Sequence, residues 1–241
     1  MIKNYFFFLI VFILFGISCN FSGSERIQGS GNVTTEQRNI SDASKIKCYG
    51  SFNVEIMPGS PASVKIEADQ NLISYIITEE NDGCLIIRPK NNVNLSSSNK
   101  IKITVTTNQL QEVQVAGSGD VTGAEKFSGA DHLKLGIAGS GNISLEVNTP
   151  TIDANIAGSG NINLTGEAKD TKIEIAGNGD YKAENLKAEN VDVNIAGSGN
   201  VKAFADATLK VNIVGSGDVY YAGSATVTQH IAGSGIIKHL P

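Results

Sequence analysis

Side chains that could bind a cation or transfer a proton recur at one position of a repeated four-residue segment. Each segment begins Gly-Ser-Gly or Gly-Asn-Gly, and six copies end in Asp120, Asn142, Asn161, Asp180, Asn200 and Asp218. Carboxylates can hold a hard cation such as Ca²⁺, which takes six or more oxygen ligands, or act as a general acid and base in a cleft. Half of these positions are neutral Asn, and both residue types favour tight turns. We therefore predict a structural turn ladder, with no catalytic, metal-binding or cofactor-binding residues.

Two other kinds of chemistry remain as alternatives. A polysaccharide-active β-helix enzyme would need paired carboxylates in a cleft. A calcium-binding protein similar to a β-roll would need Gly-rich segments with acidic residues more often than once per coil. Convergence of three or more carboxylates in one cleft would favour either alternative over a turn ladder.

The spacing of the segments shows which elements must position these side chains. Successive first glycines are 22, 19, 19, 20, 18 and 18 positions apart, at Gly117, Gly139, Gly158, Gly177, Gly197, Gly215 and Gly233. A repeat of this length is one supersecondary unit, which cannot close a core alone and must stack on its neighbours. The sequence therefore predicts an all-β parallel β-helix, or β-solenoid, with about 18–22 residues per coil.

β-branched residues flank each glycine corner at even offsets. The residue two positions before the first glycine is Val or Ile in all seven copies, namely Val115, Ile137, Ile156, Ile175, Ile195, Ile213 and Ile231. Aliphatic residues also prevail four positions before and four positions after that glycine. Even offsets are typical of strands with one buried face, so these columns should fill the interior of the solenoid.

The repeat continues in weaker form towards the N-terminus. Gly29-Ser30-Gly31-Asn32 and Gly50-Ser51-Phe52-Asn53 resemble the later corners. We predict divergent coils over residues 28–112 and regular coils over residues 113–241, about ten coils in all at the strand spacing of a sheet. The alternative is a small antiparallel domain at residues 40–110 followed by a shorter solenoid. At the other end, residues 236–241 should form the last partial coil and close it.

These features resemble the head GIN domain family, which is also described as auto-transporter adhesin domains. The resemblance covers residues 28–241. It rests on the glycine ladder and on two non-repeat stretches, Lys45–Val54 (KIKCYGSFNV) and Glu67–Leu72 (EADQNL). It implies a right-handed β-helix in a secreted or lipid-anchored bacterial protein, and it supplies no catalytic residues. Because a fold does not determine a function, the adhesin description implies only a surface role.

Residues 1–18 are typical of a lipoprotein signal peptide. Lys3 precedes a short apolar run that ends before Cys19, and this run is too short for an ordinary membrane span. We predict cleavage before Cys19, lipidation of that residue, and a tether over residues 19–27. Gly16 stands where an aliphatic residue is usual, so an ordinary secretory peptide cut nearby and an uncleaved anchor are the alternatives. The expected location is the outer membrane, with the face left open.

Composition limits the partners that we expect. The formal net charge is −5, Trp is absent, and no basic run interleaved with aromatic residues occurs along the sequence. These features argue against nucleic acid as a partner. The expected function is that of a non-enzymatic, lipid-anchored envelope protein, either an adhesin or a scaffold for a protein or glycan partner on the solenoid surface. Whether Cys48 and Cys84 form a disulfide is left open, since export permits one.

Overall fold

The structure, a computed structural model, describes residues 24–41 and 43–241. The predicted signal peptide and Cys19 lie outside the described residues. Strands in the N-terminal half are β1 (Glu25–Gln28), β2 (Val33–Asn39), β3 (Lys45–Gly50), β4 (Asn53–Pro58), β5 (Ser63–Asp69), β6 (Ile76–Asn81), β7 (Cys84–Pro89), β8 (Val93–Ser96), β9 (Lys102–Thr107), β10 (Glu112–Gly117) and β11 (Asp120–Gly123). A short 3-10 helix, η1 (Ile73–Tyr75), precedes β6.

The remaining strands form the regular part of the chain. They are β12 (Phe127–Ser128), β13 (His132–Gly139), β14 (Asn142–Gly158), β15 (Asn161–Gly177), β16 (Asp180–Lys187), β17 (Asn190–Gly197), β18 (Val201–Phe204), β19 (Thr208–Gly215), β20 (Val219–Ala222), β21 (Thr226–Gly233) and β22 (Ile237–His239). Their parallel stacking makes a β-solenoid of about seven turns, which confirms the predicted fold class.

The first glycine of every corner lies in one column along the solenoid. Gly50 pairs with Gly117, which pairs with Gly139, and the column continues to Gly233. Gly177 is representative, since its φ is 130° and an added Cβ would lie 2.3 Å from the carbonyl oxygen of Gly158. A side chain there would face both an unfavourable backbone conformation and a steric clash. The column therefore fixes the register of each coil on the next.

Two sheets meet at this column. We call the strands that end at each corner the leading sheet, and those that begin after each corner the trailing sheet. The predicted inward positions of both are buried through six successive coils; Ile175 is 2% exposed between Ile156 and Ile195. The expected strand periodicity is thus confirmed, and the interior is filled by stacked aliphatic side chains.

The N-terminal half does not contribute the additional coils that the estimate of about ten coils requires. Gly50 lies directly beside Gly117, because β3 and β4 pair with β10 and β11. The intervening residues fold back, placing β7 and β9 on the opposite sides of β3 and β4. Strands β5 and β6 then pair antiparallel with β9 and β7. The estimate of about ten coils is therefore wrong, and the antiparallel strands continue the solenoid sheets rather than forming a separate domain.

The segment Gly29–Asn32 is not a coil corner. It wraps around the buried carboxylate of Asp69, which accepts hydrogen bonds from the Ser97 hydroxyl, the Asn99 amide at 3.1 Å and the backbone N–H of Gly31. A Cβ on Gly29 would lie 1.9 Å from the Asp69 Oδ2 atom. Glycine is thus required here for contact with the carboxylate, whose hydrogen bonds join the segment before β2 to the residues that follow β8. Strand β2 itself pairs antiparallel with β5.

The two chain ends also differ from expectation. Residues 25–27, which we assigned to a tether, belong to β1, which pairs in parallel with β8. At the other end β22 pairs with β20 and forms the predicted last partial coil. This coil does not close the end, because Ile231 and Ile237 stay half exposed where their equivalents in earlier coils are buried.

Both described cysteines are free thiols. Cys48 points into the core, and burial raises the pKa of its thiol to about 12. Cys84 is half-buried and lies beside Lys45 on the neighbouring strand. The thiol of Cys48 therefore acts as a small apolar side chain.

An irregular coil contains two buried hydroxyls without hydrogen-bond partners. These are Thr171 Oγ1 and the hydroxyl of Tyr181, which line a small void that has no room for a water molecule. The void lies near a register shift opposite Asn163 and Thr165, where β16 carries an extra residue. Burial also raises the pKa of Tyr181, so its hydroxyl stays protonated.

Removing the unpartnered hydroxyl should stabilise the protein. An unsatisfied buried polar group costs roughly 1–3 kcal/mol, so we expect Tyr181→Phe to raise the free energy of unfolding by about 1 kcal/mol. Urea denaturation measures the change. Tyr49→Phe is the control, because Tyr49 is 41% exposed and the same substitution there should leave stability unchanged. A loss of stability in Tyr181→Phe would mean that the hydroxyl has a hydrogen-bond partner.

Acid should release the N-terminal strands first. The hydrogen bonds from Ser97, and then those from Asn99 and Gly31, lower the pKa of Asp69. Because the folded pKa lies below the ordinary value near 4, its stabilising effect is complete above about pH 4 and is lost as the pH falls through the lowered value. At pH 7, Asp69→Asn should speed amide hydrogen exchange in β1 and β2. The exposed turn variant Asp82→Asn should not, and equal exchange in both variants would contradict the anchoring role.

Candidate functional site

The six predicted ladder residues do lie in one column, on the trailing side of the glycine corners. Their hydrogen bonds run between coils rather than within one turn. Asn142 donates its amide to Asp120 at 2.7 Å, and Asn161 donates to Asn142 at 2.8 Å. Further along, Asp180 Oδ1 accepts from both the side-chain amide and the backbone N–H of Asn200, at 3.1 and 3.2 Å. The column therefore joins neighbouring coils.

The order of Asn and Asp along the column has a physical basis. An Asn can donate to one coil and accept from the next, whereas a carboxylate only accepts. No two carboxylates between Asp120 and Asp218 occupy neighbouring coils. At about 4.8 Å per coil, successive carboxylates are roughly 9 Å or more apart, which is too far for them to share one cation. Among residues 24–41 and 43–241, no group of three or more metal-ligating side chains is present.

The outer face of the leading sheet carries charges of alternating sign. One row, read across the coils, is Lys45, Glu112, Lys134, Asp153, Lys172, Asp192 and Lys210. Every interior member has opposite charges on both sides, and opposite charges across strands are favourable. Hydrogen bonding to Glu174 at 2.7 Å raises the pKa of Lys172, with Asp153 and Asp192 adding to it. The opposite charges of this row compensate one another, as expected for a surface with a structural role.

The outer face of the trailing sheet behaves differently. The side chains of Lys182, Lys202, Tyr220 and Lys238 are consecutive across four coils. We call these four residues the lysine–tyrosine row. Lys182 pairs with Asp180 at 3.3 Å, whereas Lys202 makes no ion pair with any described residue. Two lysines thus lie directly side by side, an arrangement that the leading sheet avoids.

A groove of about 270 Å³ runs beside this row. It is lined by Lys182, Lys202 and Tyr220 on one side and by the ladder residues Asp180, Asn200 and Asp218 on the other. Tyr220 is held in place by a long hydrogen bond from its hydroxyl to Asp218, at 3.4 Å. Cations, an aromatic ring and oxygen acceptors therefore converge on one surface, which makes this groove the candidate functional site.

Sequence reasoning found the ladder side of this groove and missed the other side. No basic run exists along the chain, because the row members are 20, 18 and 18 positions apart. They nevertheless share one repeat position, five residues after the first glycine of each corner. Earlier coils have Thr122, Ser144 and Asn163 there. Aligning that position would have shown that basic residues gather in the last coils.

The histidines lie outside this groove. His132 pairs with Asp153 at 2.8 Å on the leading sheet, and the ring of His239 contacts the carbonyl oxygen of Gly223 at 2.9 Å. His239 also packs against Tyr221, with the two rings at a steep angle. Neither arrangement resembles a metal centre.

The fold and the groove define the class of protein. It is a parallel β-solenoid, a repeat architecture that offers extended surfaces to its partners. Within that class, the chain belongs to the family described as "Putative auto-transporter adhesin, head GIN domain", whose sequence profile matches residues 42–225. The resemblance noted from the glycine ladder is thereby confirmed.

Solved structures support the same fold. A protein described as a "putative adhesin" from Bacteroides fragilis NCTC 9343 is 24% identical with a TM-score of 0.83, over 89% of this chain and 100% of that chain. A "Putative lipid binding protein" from Parabacteroides distasonis ATCC 8503 is 29% identical with a TM-score of 0.76, over 90% of this chain and 100% of that chain. Among curated proteins, none matches this chain.

The ladder should tolerate loss of charge but not loss of its acceptor oxygen. Asp180→Asn keeps one acceptor for Asn200, so stability should change by less than about 1 kcal/mol. Asp180→Ala removes both hydrogen bonds and should cost about 0.5–2 kcal/mol, as the loss of a side-chain cap does. Thermal unfolding measures both, with and without calcium.

The calcium arm of this experiment distinguishes a ladder from a metal site. Neither variant nor the wild type should respond to calcium or to a chelator. A ligand that binds the folded state would raise the melting temperature by mass action. A rise with calcium that disappears when Asp120, Asp180 and Asp218 are replaced together by Asn would contradict the structural role.

Proposed function

We propose that this protein is a non-enzymatic, lipid-anchored component of the cell envelope that binds a partner on the outer surface of its solenoid. Family membership supports a surface role, since the family is described as an adhesin domain. The observation that carries the binding role is the groove beside the lysine–tyrosine row. Its side chains project from adjacent hydrogen-bonded strands, so the backbone sets their spacing before a partner arrives.

Preorganisation of this kind favours recognition of a partner. Binding costs free energy for every side chain that must be immobilised. Here the backbone beneath Lys202 and Tyr220 is fixed by parallel pairing on both sides. A rigid face that displays side chains at regular intervals suits an extended partner, whether a glycan or a protein segment.

Other candidate functions have less support. A polysaccharide-active enzyme or a calcium site would require carboxylates close to one another, and those of the corner ladder are separated by one or two Asn residues. The lipid-binding description belongs to the Parabacteroides distasonis protein. The aliphatic columns fill the described interior here, and the void beside Tyr181 is too small for an acyl chain. We therefore do not extend that description to this chain.

The anchor rests on the sequence. Cys19 follows the signal-like apolar run, and the first described strand begins six residues later at Glu25. Within the described residues, no helix is long and apolar enough to span a membrane. Acyl chains on Cys19 would hold the solenoid at a membrane surface.

A binding assay tests the surface role directly. Labelled mature protein is titrated onto intact bacterial cells, isolated envelope polysaccharide and envelope proteins. Saturable binding to at least one of these, lost when the protein is heat-unfolded, is the expected result. Absence of saturable binding to all of them would overturn the proposal.

Replacing the predicted lipidation site should release the protein from membranes. Cys19→Ala removes the only acceptor for acyl chains at the signal junction, and each buried methylene contributes about 0.8 kcal/mol to membrane binding. Cell fractionation should move the variant from the membrane to the soluble fraction, and mass spectrometry should find acyl chains only on the wild type. Cys84→Ala is the control and should fractionate normally. Membrane retention of Cys19→Ala with an unmodified N-terminus would contradict the anchor.

A further inference from the structure

The lysine–tyrosine row is an exception to the way this solenoid arranges charge. In the leading row the signs alternate from Lys45 to Lys210, and in the corner ladder carboxylates are never on neighbouring coils. Lys182 and Lys202 instead lie directly opposite each other on paired strands. Like charges in that position are destabilising. Asp180 compensates Lys182 at 3.3 Å, whereas Lys202 is exposed and makes no ion pair with a described residue. The row therefore offers an uncompensated cation to a negatively charged partner.

The row has the length and direction for an extended ligand. Strand spacing of about 4.8 Å places Lys182 and Lys238 roughly 14 Å apart, three coils along the solenoid axis. Tyr220 lies between Lys202 and Lys238. A ligand following the row would run across the strands, through the 270 Å³ groove lined by Lys182, Lys202 and Tyr220, and would reach Lys238 on the next coil beyond it.

The residues on the opposite side of the groove indicate which functional groups the ligand carries. Asp180, Asn200 and Asp218 present oxygen atoms that accept hydrogen bonds, and hydroxyl groups are the matching donors. The ring of Tyr220 offers an apolar face for C–H groups. A chain that is both anionic and rich in hydroxyls fits all three features. The oxygens of Asp180, Asn200 and Asp218 already accept hydrogen bonds within the protein, and their remaining lone pairs can accept more. A nucleic acid would bring densely spaced phosphates against two carboxylates, and an acidic peptide would offer few hydroxyl groups to these oxygens.

We propose that the groove beside the lysine–tyrosine row binds an acidic polysaccharide, with its carboxylate or sulfate groups on Lys182, Lys202 and Lys238. The hydroxyls of the sugar bond to the corner ladder, and one sugar ring lies against Tyr220. This assignment rests on the proposed surface-binding function and specifies its ligand. It places the site on the trailing sheet in the last four coils.

Direct binding measurements test the assignment. The mature protein is titrated by calorimetry with polygalacturonate, hyaluronate and chondroitin sulfate. Fully methyl-esterified polygalacturonate serves as the uncharged match. We expect saturable binding to at least one acidic polysaccharide, no binding to the esterified chain, and weakening with added salt, because exposed charges are screened over about 8–10 Å at physiological ionic strength.

Matched variants locate the site. Lys202→Glu should weaken binding at least tenfold, and Lys202→Gln should weaken it less. Lys126→Glu makes the same charge change at an exposed position between β11 and β12, and it should stay within twofold of the wild type. Tyr220→Ala should weaken binding without changing its salt dependence. Melting temperatures establish that each variant is folded, and the neutral Gln variant is the test if the Glu variant unfolds.

Three results would overturn the assignment. The first is no binding to any acidic polysaccharide. The second is equal weakening by Lys202→Glu and Lys126→Glu. The third is equally tight binding of polyglutamate or single-stranded DNA, which would show recognition of charge alone. Saturable binding to intact cells that Lys202→Glu leaves unchanged would reject this site and retain the surface-binding function. Loss of all binding would reject both.

Discussion

The close contact between corner glycines is the constraint on which the rest of the structure depends. Each first glycine of a corner sits at positive φ with its backbone against the carbonyl of the glycine one coil before, at distances that exclude any Cβ. This contact fixes the register of neighbouring coils on both sides of each corner, and a register shift occurs only farther away, between β15 and β16. Because strand side chains alternate between faces, a fixed register aligns every inward position with an inward position and every outward position with an outward one. The aliphatic core and the outer rows both follow.

A fixed register has an electrostatic consequence. Each outward side chain has a neighbour of the same repeat position about 4.8 Å away on each side, so identical charges in successive coils would repel. The chain meets this requirement by alternating Lys with Asp or Glu on the leading sheet. In the corner ladder at least one Asn, whose amide both donates and accepts, separates each Asp from the next. Lys182 and Lys202 carry the same charge on neighbouring coils and are therefore an exception to this pattern.

The N-terminal half differs from the regular coils because its strands cover one end of the solenoid. An open coil exposes unpaired strand edges. Here the chain leaves the solenoid after β4 and returns through antiparallel strands that extend both sheets beyond β3 and β4. Strand β2 pairs antiparallel with β5, and the buried Asp69 at the end of β5 holds Ser97, Asn99 and the segment before β2 through hydrogen bonds. At the C-terminal end β21 and β22 lack such a cover, and Ile231 and Ile237 are correspondingly half exposed.

The sequence by itself determined the regular coils, because the period, the paired glycines and the even offsets of Val and Ile all specify one register. It also determined the corner ladder, whose members occupy a fixed position in each coil. Only the tertiary structure decided how residues 59–111 fold, since antiparallel strands that fold back have no period to detect, and Gly29–Asn32 resembles a corner while wrapping Asp69. The lysine–tyrosine row likewise results from the stacking of one coil on the next. Its members are 18 to 20 positions apart in the sequence and become neighbours only because parallel pairing places one coil directly on the next.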